Sequence, residues 1–98
     1  MKVMLSWQFH PGKLQDGLAH FSQMTPEQDH ADHGSKIKLI GRWHDLVRGR
    51  GVAICESESA EALSNWAMNW NRILDVDVAV VLDDSETRAL GQKRAKKS

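Results

Sequence analysis

Arg42 and His44 flank a single tryptophan in the run LIGRWHDLVRGRGVAI, residues 39–54. Side chains two apart on a strand share a face, so a guanidinium and an imidazole stand side by side while Trp43 points the other way. His44 could then serve as a general base or ligand contact whose proton affinity is set by the neighbouring cation. The plainer reading is a hydrogen-bonded histidine near a strand end. Arg42 could grip an anionic ligand group through its two-pronged fork, or pair with an acidic residue of a partner chain. Asp45 follows His44 directly but faces away from it, so "HD" is not a catalytic dyad. His10, at the end of another alternating run, is a second candidate base.

Other chemistry-bearing residues carry weaker signals. His30 and His33 in HADH have an HxxH spacing with Asp29 and Asp32 beside them, but no third ligand stands at a telling distance. A solvated polar loop is the expectation, with no metal. Cys55 is the lone cysteine, which excludes an internal disulfide and fits a reducing cytoplasm. In a strand it reads as a small buried apolar residue. Trp66 and Trp70, one helical turn apart, are core anchors or the walls of a flat-ligand pocket between helix and sheet. Arg42, Trp43, His44, Trp66 and Trp70 form the candidate ligand-binding set, with His44 and His10 the candidate catalytic residues.

The elements that must position these groups emerge from periodicity. Val3, Leu5, Trp7 and Phe9 alternate with Met4, Ser6, Gln8 and His10 until Pro11 and Gly12 end the strand. Leu14, Leu18 and Phe21 recur at helical spacing, and TPEQDHADHGS, residues 25–35, with proline, glycine and no apolar period, predicts a loop. A strand from about Lys36 to His44 pairs with GVAICE through a two-residue turn at Arg48 and Gly49, which sets His44 opposite Ala53 and Arg42 opposite Cys55. Ser57 or Ser59 caps a helix whose stripe is Ala62, Leu63, Trp66, Ala67 and Trp70. DVDVAVVL, residues 75–82, alternates again, and Asp83 with Glu86 forms a capping box for a short polar helix.

Strand, helix, strand, strand, helix, strand is the ferredoxin-like plan of the α+β class: βαββαβ, an antiparallel four-stranded sheet with both helices on one face. One domain spans residues 1–90, and residues 91–98 form a basic tail that frays in solvent. With Trp7, Trp43, Ile54 and Val78 turned to the helices, the open side would carry Met4, Ser6, Gln8, Ile40, Arg42, Ala53, Cys55, Ala79 and Val81. That face is too apolar for water and too polar for a second core, so a homodimer with facing sheets is expected.

Composition narrows the partners. Lysine plus arginine equals aspartate plus glutamate at 13 each, and four of the cations, Lys93, Arg94, Lys96 and Lys97, lie in the tail. The body is therefore mildly acidic, which argues against a polyanion binder. RGRGVAIC, residues 48–55, has the skeleton of a ribonucleoprotein octamer but places Arg50, Val52 and Cys55 where stacking aromatics belong, so nucleic acid is not an expected partner. The opening MKVMLSWQFHPGK lacks an uninterrupted signal-peptide core, and no stretch approaches membrane-spanning length.

Trp7 and Phe9 followed by Pro11, then LIGRWHDL, GRGVAI with Glu56, the Trp66 and Trp70 pair and VLDD at residues 81–84, resemble the small bacterial family of domain of unknown function 3303. The resemblance covers residues 3 to 90 and implies the dimeric α+β barrel superfamily, with its small monooxygenases, haem-degrading enzymes and muconolactone isomerase. The family has no established activity, so no catalytic residue carries over. Haem-degrading relatives place an iron-ligating histidine on the second helix, where this chain offers Trp66, Met68 and Trp70, so no cofactor is expected. Cofactorless monooxygenases of this fold surround an aromatic substrate with asparagine, tryptophan and tyrosine or histidine; here Asn65, Asn69, four tryptophans and five histidines are present, but no tyrosine. The expectation is a homodimeric module binding a small ligand or regulating through one, with a cofactor-independent monooxygenase or isomerase acting on a small aromatic or anionic substrate as the alternative.

Overall fold

In KVMLSWQF every second side chain is apolar, and β1 (Lys2–Phe9) buries Val3 and Leu5 on that side in the computed structural model, which describes residues 1–97. After it come α1 (Leu14–Ser22), α2 (Pro26–His33), β2 (Lys38–Asp45), β3 (Arg50–Glu56), α3 (Ala60–Trp70), β4 (Leu74–Val81) and α4 (Asp84–Lys97). The four strands form one antiparallel sheet in the order β2-β3-β1-β4. Each βαβ unit is thus split by a strand from the other, the ferredoxin-like α+β arrangement the element order predicts. Val3, Leu5, Ile37, Ala53, Cys55, Leu63 and Trp66 make the core on the helix-bearing side.

Local chemistry sets the helix starts. Ser59 accepts the Ala62 N–H at 3.0 Å to begin α3. Asp83 and Glu86 form the expected capping box of α4, each accepting the other's backbone N–H at 2.8 and 3.1 Å. Lys2 reaches both carboxylates and ties that helix start to β1. Beyond this point α4 buries no residue, and it continues through Lys97 where a frayed basic tail was expected.

Residues 26–33 are helical, not a loop. Thr25 accepts the Gln28 N–H, the Gln28 side chain accepts the Thr25 N–H, and Pro26 occupies the first turn, where its missing N–H costs nothing. The helix has no apolar stripe because the residues it turns inward, Asp29, Asp32 and His33, are polar and still recur at helical spacing.

The central hairpin also departs from strict alternation. Asp45 pairs with Arg50 across a four-residue turn, with Gly49 at φ +66°, so Arg42 lies opposite Ala53 and His44 opposite Gly51. The expected register is off by two. The Asp45 carboxylate explains the wider turn, since it accepts the Arg48 backbone N–H at 3.1 Å and Arg50 Nε at 2.9 Å. Between Leu39 and Gly41 the register shifts, leaving Ile40 as the extra residue of a β-bulge. A bulge inverts the parity of the strand beyond it. Ile37 and Leu39 face the helices before it, and Arg42 and His44 face them after it. The expected faces of Trp43, Ile54, Ala53 and Cys55 are reversed accordingly: Trp43 is 59% exposed on the open side, whereas Ala53 and Cys55 are fully buried.

Candidate functional site

The parity change turns Arg42 and His44 into a cleft between the sheet and helices α1 and α3. Its floor is Leu5, Trp7, Ala53 and Val76, its walls are Leu18 and Phe21 of α1 and Trp66 and Trp70 of α3, and its free volume is about 80 Å³. Two close approaches shape it. A Cβ on Gly51 would come within 2.3 Å of the Trp7 ring, and one on Gly17 within 2.2 Å of the Phe9 ring. Only glycine lets these aromatic rings lie flat against strand and helix.

Polar groups are few in the lining, and most are engaged. Arg42 donates from Nη1 to Asp29 Oδ1 at 3.1 Å and from Nη2 to Asp29 Oδ2 at 2.9 Å. The guanidinium carbon also stands 4.7 Å from the centroid of the Phe21 ring. The fork is therefore filled from within the chain. Trp66 and Trp70 both donate their indole N–H to Asp32 Oδ2, at 3.2 and 2.7 Å. Asn69 completes the same cluster by donating to Asp32 Oδ1 at 3.1 Å and to its carbonyl oxygen at 3.0 Å. The two tryptophans show carbon to the cleft and nitrogen to α2.

His44 is different. Its ring meets Trp7 edge-on at 5.6 Å and Phe21 at 5.0 Å between centroids, and it finds no hydrogen-bond partner among the described residues. Burial against these rings, and then the Arg42 charge, hold its pKa below the ordinary histidine value, so the ring is neutral at pH 7. A neutral imidazole with an unused lone pair can accept a proton or a hydrogen bond.

The remaining candidates separate from this cluster. His10 Nε2 lies 3.0 Å from Asp75 Oδ1 at the sheet's end and does not line the cleft, so it is no base for chemistry there. Trp43 sits on the opposite face beside Arg50 and Val52 and cannot wall the same cavity. Asn65 and Asn69 do not line it either. Burial raises the pKa of the Cys55 thiol and leaves it a packing residue. His33 is buried, donates through Nδ1 to the Gly34 carbonyl at 2.9 Å and packs edge-on against Trp66. Among the described residues no group of three or more metal-ligating side chains converges.

Asp29 and Asp32 are the residues that sequence reasoning missed. The signal for them was the Thr25-Pro26-Glu27-Gln28 capping box, followed by polar groups at 29, 32 and 33 in helical register. Among known proteins, a family model described as domain of unknown function (DUF3303) matches residues 1–95. No curated protein matches the chain. Among the described residues no helix is long and apolar enough to cross a membrane.

Proposed function

Since the chain belongs to the family of domain of unknown function 3303, whose description assigns no activity, we propose a function from the site itself: a homodimeric module that binds a small aromatic ligand in the cleft beside His44. The observation that carries this reading is the combination of an almost wholly apolar, aromatic lining with one unpartnered imidazole at its edge. Ligand sites commonly have this composition, a hydrophobic enclosure with few convergent polar groups. The free volume suits a single ring, and the Arg42 fork, already paired with Asp29, favours a neutral ligand over an anionic one. Toluene should raise the melting temperature of the protein, and a cleft filled by Ala67→Trp should abolish that rise. No stabilisation by toluene, together with no small molecule retained in native mass spectra, would remove the reading.

The homodimer rests on the opposite side of the sheet. Met4, Trp43, Val52, Ile54, Ala79 and Val81 lie there with no helix over them. Such a face is self-complementary across a two-fold axis. Sedimentation should give a dimer, and Trp43→Lys combined with Ile54→Lys should give a folded monomer.

A second reading, a cofactor-independent monooxygenase or isomerase, is favoured by His44 alone, whose neutral ring is in the right state to take a proton from a bound ring. If a substrate is turned over, His44→Ala should abolish turnover while leaving the substrate bound. Unchanged turnover would leave the binding module as the function.

A further inference from the structure

We infer that Asp29 and Asp32 of α2 set what the cleft accepts, selecting a single neutral aromatic ring that bears a hydroxyl over the same ring bearing a carboxylate. This rests on the cleft being a ligand site, and it adds the chemical class of the ligand and the residues that determine it.

Of the side chains lining the cleft, only His44 can accept a hydrogen bond; all others are apolar or are donors. Four could donate besides His44 itself: Arg42, Trp7, Trp66 and Trp70. Asp29 takes one N–H from each Nη of Arg42 and holds its two-pronged face, and Asp32 occupies both α3 indoles through one oxygen. Trp7 is left with its indole N–H unpartnered among the described residues, its ring 5.6 Å from that of His44. The Trp7 ring and His44, the one lining side chain that can accept, thus stand together at the polar edge. A hydroxyl satisfies both, donating to His44 and accepting from Trp7.

A carboxylate fails on two counts. Ionised, it has no proton to offer, so it leaves the His44 lone pair unused where a hydroxyl would engage it. It also meets no unmatched cation, since Arg42, the one charged residue of the lining, is already paired with Asp29. To be held bidentately by the two Nη nitrogens of Arg42 it would have to displace the Asp29 carboxylate already there.

Three probes of one ring each separate the possibilities: toluene, phenol and benzoate at pH 7.5, with affinity read from tryptophan fluorescence and calorimetry. Phenol should bind about tenfold more tightly than toluene, the equivalent of one good hydrogen bond, and benzoate at least about tenfold more weakly than phenol. His44→Phe should erase the preference for phenol. Asp29→Asn, which frees part of the Arg42 fork, should raise the benzoate-to-toluene affinity ratio by about tenfold or more. Benzoate binding as tightly as phenol in the wild type would overturn the inference, and that comparison needs no variant to fold. So would an unmoved ratio in Asp29→Asn. If toluene binds but phenol gains nothing over it, the selection falls and the cleft stands; if toluene does not bind, the cleft itself is no ligand site.

Discussion

At the scale of single residues, His44 sets the acid limit of the site. Its folded-state pKa lies below the ordinary value of 6.5, because burial and Arg42 disfavour the cation. The unfolded chain therefore takes up this proton first as the pH falls. The stability that His44 confers is complete above about pH 6.5 and is lost as the pH drops from there towards the folded value. A plot of melting temperature against pH should show wild type losing ground to His44→Phe over that interval, and NMR should place the His44 midpoint below 6.5. Gly51 bears on the same site through Trp7. An alanine there would put Cβ 2.3 Å from the Trp7 ring and 2.7 Å from the Trp43 carbonyl oxygen, and the backbone atom cannot yield as a side-chain tip could. Gly51→Ala should cost about 1–3 kcal/mol in urea denaturation and shift the Trp7 indole emission.

At the scale of elements, α2 is the part whose importance exceeds its size. It carries no apolar stripe, yet through Asp29 it fixes β2's arginine and through Asp32 it fixes two indoles of α3. Its own start depends on Thr25. Removing that cap with Thr25→Ala should cost about 1 kcal/mol and loosen both clusters, visible as faster amide exchange over residues 26–33 and altered tryptophan emission. The four strands, α1 and α3 were legible in the sequence because apolar side chains mark their periods directly, as at Val3, Leu5 and Trp7 or at Leu63, Trp66 and Trp70. α2 was not, because its inward residues are polar and its helical register is carried by Asp29, Asp32 and His33. Arg42 and His44 were legible as neighbours, since two-residue spacing survives anywhere along a strand. The side they occupy was not, because a bulge leaves no hydrophobic signature when the extra residue, Ile40, resembles those around it. Trp43 was misplaced and the engagement of Arg42 by Asp29 went unseen for these same two reasons.

At the scale of the whole molecule, the described chain is drawn out to 52 × 29 × 19 Å with a radius of gyration of 15.8 Å, against about 13 Å for a typical domain of this length. The excess comes from α4, which buries no residue and exposes Leu90. A lone fourteen-residue helix is marginal in water. Amide exchange along α4 should therefore be fast in the Trp43→Lys, Ile54→Lys monomer. If the dimer covers it, exchange there should slow with protein concentration; equal rates in both forms would leave α4 outside the interface. The bulge at Ile40 has a consequence that reaches as far. Strand side chains obey an odd-even count, and one surplus residue resets that count for everything between it and the turn. Deleting Ile40 would set Leu39 beside Gly41, opposite Cys55 and Ile54 in turn, a regular ladder in which Arg42 and His44 keep their side and Trp43 keeps its own. Shortening the chain by one here therefore spares the cleft, whereas drawing Ile40 into the ladder at full length would exchange the cleft with the outer face.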